Sequence, residues 1–152
     1  MDTMEWRFKI HPDFAPSGFN YARYYLCSDV DDLKSPLSGY FLQFGESGST
    51  DAVALYKQLG TAISLIVRGP DSLIAAPFDI RVRVLRFPLG QWELWVDYSG
   101  GEAFDFQSSG LENSIQPGPY TGWKCIYTSS NADKFFLDDV YAGAYLYDTI
   151  PP

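Results

Sequence analysis

The feature that most constrains this fold is a period-two alternation of apolar and polar residues between Phe78 and Asp97. Successive side chains of a β-strand point to opposite faces, so this alternation predicts strands with one buried and one exposed face. The triplet Pro88-Leu89-Gly90 divides the segment and is typical of a hairpin turn. We expect Ile80, Val82, Val84, Trp92, Leu94 and Val96 on the inner face, and Arg81, Arg83, Glu93, Trp95 and Asp97 on the outer face.

Similar short apolar segments recur along the chain between turns rich in glycine, proline and serine. Aromatic residues make up 17% of the 152 residues, with 13 glycines and 10 prolines, and this composition favours many short strands over helices. Asp51–Gln58 is ambiguous, because Asp51 could cap a short helix, but its neighbours favour a strand. The predicted strands are Glu5–Ile10, Tyr21–Ser28, Gly39–Gly45, Asp51–Gln58, Ala62–Arg68, Phe78–Phe87, Gln91–Asp97, Glu102–Ser108, Tyr120–Tyr127 and Lys134–Tyr141.

About ten short strands with turns between them predict an all-β sandwich of two antiparallel sheets. The length of the chain suits a single domain with one core. We place the sandwich domain at residues 4–143 and a linker-like tail at 144–152, which ends in Asp-Thr-Ile-Pro-Pro.

Charge and hydropathy exclude two classes of function. The formal net charge is −8, so the chain has no basic surface to neutralise phosphates, and nucleic acid is excluded as a partner. No apolar run approaches the roughly 20 residues of a membrane helix, so we expect no membrane insertion. The charge is compatible with an extracellular module, a cation binder or a carbohydrate-binding domain.

Two cysteines, Cys27 and Cys125, lie within apolar predicted strands. They could form one disulfide or remain two buried thiols. We favour buried thiols, because free cysteine is common in protein cores.

Four segments together carry a resemblance to a known family: WRFKIHPDFAPSGFNYARYYLCSD, GYFLQFGESGSTDAVALY, RVRVLRFPLGQWELWVDYSGG and YTSSNADKFFLDDVYAG. The chain resembles the concanavalin A-like (laminin G-like) jelly-roll modules of large secreted surface proteins of gliding bacteria, which often precede lamin-tail domains. The resemblance covers nearly all of Glu5–Gly143. It implies a jelly-roll fold, a secreted or cell-surface location, and neighbouring domains of the same parent chain as partners.

The chain departs from this family at both ends. Family members usually have a strand-bearing segment before the equivalent of Trp6, and the ending DTIPP is similar to a linker that enters a following domain. We therefore expect an excised piece of a longer protein, with an exposed sheet edge where the preceding segment would pair.

The last predicted strand carries two carboxylates, Asp138 and Asp139, at its centre. Strand interiors disfavour aspartate, so both side chains need partners, which could be backbone amides, an arginine or a metal ion. Adjacent strand residues point to opposite faces, so only one of them could bind a given ion. Jelly-roll modules often hold a structural Ca²⁺ with an aspartate of such a strand, so Ca²⁺ is one alternative; we favour hydrogen bonds from loop amides or from an arginine, and we expect no other cofactor.

The outer face of the predicted hairpin is the candidate ligand surface. Sugars bind to an aromatic ring with planar polar groups beside it. Trp95 would supply the ring, and the polar groups and the rim would be Arg81, Arg83, Glu93 and Tyr98. Two alternatives remain: Trp95 packs against the arginine stems, or a further strand or domain covers it.

Catalysis has weak support in this sequence. His11 is the one histidine, and neither cysteine has a basic neighbour in sequence to lower its pKa. Glu93 and Asp97 share a face, but their spacing differs from the Glu-x-Asp-x-x-Glu motif of laminarinase-type enzymes. We therefore expect a non-catalytic extracellular recognition module that binds carbohydrate or glycan. The alternatives are a structural or adhesive spacer domain and a degenerate glycoside hydrolase.

Overall fold

The computed structural model of the protein describes residues 2–145. Within that range the regular structure comprises ten strands and one short 3₁₀ helix, Ser129–Asn131. The strands are β1 (Met4–Pro12), β2 (Tyr21–Ser28), β3 (Leu37–Phe44), β4 (Val53–Gly60), β5 (Ala62–Arg68), β6 (Ile80–Arg86), β7 (Gln91–Asp97), β8 (Asp105–Leu111), β9 (Tyr120–Ile126) and β10 (Phe135–Ala144). No helix among these residues is long and apolar enough to cross a membrane.

The strands form two five-stranded antiparallel sheets packed as a jelly-roll-like sandwich, which confirms the predicted fold class. The first sheet has the order β10-β1-β6-β7-β8, and the second has the order β5-β4-β3-β2-β9. The ambiguous Asp51–Gln58 segment supplies strand β4. Asp51 precedes that strand, and its Oδ1 accepts a hydrogen bond from the backbone N–H of Glu46 at 2.8 Å.

The core lies between the sheets and contains the inward residues that the alternation predicted. From the first sheet come Trp6, Phe8, Ile10, Ile80, Val82, Val84, Trp92, Leu94 and Val96, all buried. Aromatic rings join the two layers: Phe8 stacks on Tyr24 of the second sheet with centroids 4.3 Å apart, and Trp92 lies 4.6 Å from Tyr40. Burial of each such side chain stabilises the fold by about 1.5–3 kcal/mol.

A second apolar cluster covers the outer surface of the second sheet. Tyr25, Leu37 and Phe41 are buried there, and the loop between β2 and β3 packs Val30 and Leu33 against them. Strands β2 and β3 are therefore buried on both faces, so their sequences read as continuous apolar runs instead of alternating ones.

The ends of the described chain close onto the first sheet. Strand β10 continues to Ala144, one residue into the predicted tail, and the N–H of Tyr145 donates to the carbonyl of Thr3 at 2.9 Å. Residues 146–152 of that tail lie outside the described residues. Cys27 and Cys125 are both free, Cys27 buried and Cys125 half-buried, and burial raises the pKa of each thiol to about 11.

Candidate functional site

Five outward-facing side chains form one row across the first sheet. Tyr141, Arg7, Arg83, Trp95 and Phe106 come from β10, β1, β6, β7 and β8, and each is paired in register with the next. Arg7 Cζ lies 4.8 Å from the Tyr141 ring centroid, and Arg83 Cζ lies 4.8 Å from that of Trp95. Such cation–π contacts contribute about 0.5–1 kcal/mol each at exposed sites. We call this set the arginine–aromatic row.

The two arginines of the row lie directly opposite each other, and Glu5 offsets their repulsion. The Glu5 side chain is only 4% exposed; its Oε1 lies 3.5 Å from Arg7 Nε and its Oε2 lies 4.0 Å from Arg83 Nε. Like charges in facing positions destabilise a sheet. The buried carboxylate therefore allows two guanidinium groups to occupy neighbouring strands.

Trp95 is committed to contacts within the protein. Arg83 lies over its ring, Phe106 meets it edge to face with centroids 5.3 Å apart, and its Nε1 donates to Glu93 Oε1 at 3.1 Å. Arg83 also lies 5.2 Å from the ring of Phe104. This arrangement matches the alternative in which Trp95 packs against an arginine, so the ring is not an open stacking platform.

The Arg81 side chain of β6 contacts both the loop after β7 and strand β10. Its Nε donates to the carbonyl of Gly100 at 2.9 Å, and its Nη2 lies 2.9 Å from Asp139 Oδ2. The Arg81 side chain is thereby fixed from two directions. The part of the Arg81 side chain that stays exposed is therefore held in a fixed orientation.

Two neighbouring hollows open on this outer surface. The first, which we call the Arg81 hollow, has a volume of about 240 Å³ and is lined by Arg7, Phe8, Arg81, Glu102, Phe104 and Asp139. The second, the His11 hollow, has a volume of about 220 Å³ and is lined by Lys9, His11, Asp79, Phe136 and Asp138. They are adjacent, because Arg81 pairs with Lys9 across β1 and β6 and Asp139 follows Asp138 in the chain.

A β-bulge brings both carboxylates of the last strand to this outer surface. Register passes from Tyr141 opposite Arg7 to Asp138 opposite Lys9, and Asp139 adopts a left-handed φ of 55°. The expectation that the two aspartates face opposite sides is therefore wrong, because the extra residue of a bulge interrupts the alternation. Both acidic side chains line the exterior hollows, one in each.

The partners of these aspartates are protein groups. Asp139 pairs with Arg81, and Asp138 Oδ1 accepts a hydrogen bond from the N–H of Asp139 at 2.8 Å. Within residues 2–145, no three His, Cys, Asp or Glu side chains are grouped as they would be to hold a metal ion. Calcium at Asp138 or Asp139 stays a prediction from the sequence.

Tyr98 lies elsewhere than the sequence suggested, whereas Asp97 keeps its predicted outward position, paired with Arg81. Tyr98 packs against the core instead of the rim, because it continues the inward series of β7; its hydroxyl donates to Gln107 Oε1 at 2.9 Å, and burial raises its pKa to about 12. The buried Asp97 accepts hydrogen bonds from the hydroxyl and N–H of Ser99 and from the N–H of Ala103. These bonds, those from Ser99 first, lower the pKa of Asp97.

Four residues that line the Arg81 hollow were not predicted as site residues: Arg7, Phe8, Glu102 and Phe104. Alternation in β1 placed Arg7 on the outer side but gave no reason to single it out. Glu102 and Phe104 were assigned to a predicted strand, whereas β8 begins at Asp105 and both belong to the preceding loop. Loops carry weak periodic signals, so only the folded chain brings these residues to the sheet.

Comparisons with known proteins leave the family open. No protein-family model matches the chain, and no curated protein that was compared with it gave a match. The architecture therefore stands on the strands and sheets themselves.

Proposed function

We propose that the protein is a non-catalytic recognition module that binds carbohydrate on the outer surface of its first sheet. The observation that supports this most is the pair of adjacent hollows, each lined by a ring, a cationic side chain and a carboxylate. Protein sites for polar ligands combine apolar surface with a few fixed polar groups. A saccharide offers both an apolar ring face and hydroxyl groups that accept and donate hydrogen bonds.

The proposed contact residues differ in part from those of the sequence analysis. Arg81 remains a hydrogen-bond donor, and Phe104 replaces Trp95 as the ring that lines the Arg81 hollow. The Arg81 hollow is not lined by Arg83, Glu93 or Trp95. Arg83 contacts the rings of both Trp95 and Phe104, so these residues lie beside the hollow. Strands and short loops hold these groups, which limits the entropy lost on binding.

The wider setting is part of the same proposal. The module would be a concanavalin A-like (laminin G-like) domain of a secreted or cell-surface protein, with neighbouring domains of its parent chain as further partners. The resemblance of the four sequence segments supports this placement. The jelly-roll-like sandwich is compatible with it, although one fold can host many functions.

A polysaccharide-binding assay tests the proposal. The chain would be applied to a broad glycan array, and positive glycans would be measured by calorimetry against Phe104→Ala. We expect Phe104→Ala to weaken binding about tenfold, equivalent to about 1.4 kcal/mol, because it removes the stacking surface of the hollow. The matched control is Phe106→Ala, because Phe106 contacts Trp95 but does not line either hollow.

The outcomes separate the alternatives. Absence of binding across the panel would favour the structural or adhesive spacer, which the internal pairing of Arg81, Arg83 and Trp95 also suits. Glycan binding that Phe104→Ala leaves unchanged would place the ligand elsewhere. Hydrolysis of a β-glucan, lost in Glu93→Gln, would favour the degenerate hydrolase, although Glu93 accepts the Trp95 N–H.

A further inference from the structure

A crevice enters the sandwich at the seam between β9 and β10. At one end of this seam the sheets are joined by aromatic contacts, with Phe135 6.2 Å from Trp123 and 5.8 Å from Tyr127. At the other end a hollow of about 320 Å³ lies between the layers. The hollow opens to solvent: Tyr120 and Ala142 of its lining are exposed, whereas Trp6, Leu26 and Cys27 are buried.

The lining of this seam crevice carries no charged side chain. Its walls include Met4, Trp6, Leu26, Cys27, Tyr120 and Ala142, with Pro117 to Thr121 along one side. Both hollows on the outer surface, by contrast, contain arginine or lysine together with carboxylates. The seam crevice therefore favours a different class of ligand from the proposed carbohydrate surface.

Two polar side chains of the lining, Thr121 and Cys27, have partners within the protein. Thr121 Oγ1 lies 2.9 Å from the carbonyl of Tyr25 and 3.0 Å from the hydroxyl of Tyr24. The Cys27 thiol has its pKa raised to about 11 by burial, so it is uncharged at neutral pH. Because an unpaired polar ligand group would lose its hydrogen bonds to water here, an apolar ligand is favoured.

The walls of the crevice are held in place by packing. Trp6 stacks on Trp92 with ring centroids 5.8 Å apart. The loop before β9 is pressed against the end of β2 so closely that a Cβ atom at Gly118 would collide with the carbonyl oxygen of Ser28. Packing therefore fixes the position of the residues on both sides of the crevice.

We propose that the seam crevice binds a small, uncharged, apolar molecule about the size of a bicyclic aromatic. An apolar cavity of about 150 Å³ accommodates benzene, and small-molecule sites begin near 300 Å³. The crevice, at about 320 Å³, fits two fused rings. This site is independent of the carbohydrate proposal.

Titration with indole tests this inference. Saturation-transfer NMR and calorimetry with the full chain should detect saturable binding, with a Kd of roughly 0.1–1 mM for a ligand of this size. Ala142→Phe places a ring in the crevice and should weaken binding at least tenfold. Ala144→Phe is the matched control: Ala142 and Ala144 are both exposed alanines of β10, but Ala144 does not line the crevice, so its variant should bind as the parent does.

Two results would overturn the inference. One is the absence of saturable indole binding to the parent chain. The other is equal affinity in the parent and Ala142→Phe, with circular dichroism showing that both are folded; should that variant fail to fold, Ala142→Leu replaces it with the same expectation. Indole-3-carboxylate should bind more weakly than indole, and the opposite order would contradict the uncharged, apolar character of the site.

Discussion

The outer surfaces of the two sheets differ in how they are covered. On the second sheet, Tyr25 and Phe41 are buried beneath Val30 and Leu33 of the loop between β2 and β3. On the first sheet the described loops leave the arginine–aromatic row partly exposed: Phe104 of the loop before β8 contacts Arg83, and the side chains of the row otherwise pair with one another. The second sheet is therefore stabilised by apolar burial on both faces, whereas the first sheet keeps a polar outer surface available to a partner.

Polar groups on the covered surface have a different role from those on the open one. Tyr25 donates its hydroxyl to Gln58 Oε1 at 2.7 Å, and Arg23 bonds Gln43 Oε1 at 3.0 Å while its Cζ lies 4.4 Å above the Phe41 ring. These polar contacts lie at the edge of the apolar cluster of Tyr25, Leu37 and Phe41. The open surface instead leaves hollows lined by charged groups.

The largest expected difference between the two surfaces concerns their aromatic residues. Phe41→Ala should lower the free energy of unfolding by about 3–5 kcal/mol, because it removes a fully buried ring and leaves a cavity. Trp95→Ala should cost about 1–2 kcal/mol, because its ring is half-buried and packs mainly on Arg83. Urea denaturation followed by circular dichroism measures both free energies of unfolding. An equal decrease in the two variants would contradict the proposed difference between the two surfaces.

An intermediate effect is expected at the buried carboxylate of the first sheet. Glu5→Gln should lower the free energy of unfolding by about 1–3 kcal/mol, because Arg7 and Arg83 would face each other with no anion between them. The same urea titration measures the change.

The control for Glu5 is the same substitution on β7, two strands away in the same sheet. Glu93→Gln keeps an oxygen that can accept the Trp95 Nε1–H, so its cost should stay within about 0.5 kcal/mol. Similar values for the two variants would mean that Glu5 does not compensate the facing arginines.

The smallest effect is expected at the bulge of β10. Asp139→Asn keeps a residue that tolerates the left-handed φ of 55° and removes only the charge. The Asp139 side chain is 51% exposed, so loss of its ion pair with Arg81 should cost about 0.2–1 kcal/mol. Because salt screens exposed charges, the difference from the parent should shrink in 1 M NaCl, at which the Debye length is about 3 Å; a difference that persists there would contradict this account.

Calcium is tested by thermal melting with and without EDTA. With Arg81 as the partner of Asp139, we expect the Tm to be unchanged by EDTA. A lower Tm with EDTA, restored by added Ca²⁺, would instead favour the alternative of a structural ion.

Local patterning was sufficient to predict most of the strands. Strands β2, β5 and β7 have the predicted bounds, Tyr21–Ser28, Ala62–Arg68 and Gln91–Asp97, and β6 lies within the predicted strand Phe78–Phe87. Its arginines face outward as expected. Alternation is a property of neighbouring residues, so a single strand reveals it without knowledge of its partners.

The candidate site was predicted less well, because it depends on which strands become neighbours. Arg7 meets Arg83 and Tyr141 only because β1 lies between β6 and β10. The contact of Arg83 with the Trp95 ring depends on side-chain packing, whereas the inward position of Tyr98 follows the alternation of β7.

The sequence by itself determined the ten-strand character, the inner faces and the acidic charge of this protein, since these follow from composition and from the spacing of adjacent residues. Tertiary structure alone decided the hollows, the bulge that turns Asp138 and Asp139 to one side, and the contact of Asn20 with Thr128 across the chain. The physical reason is that register between distant strands is selected by the free energy of packing whole sheets together, and no local segment contains that information.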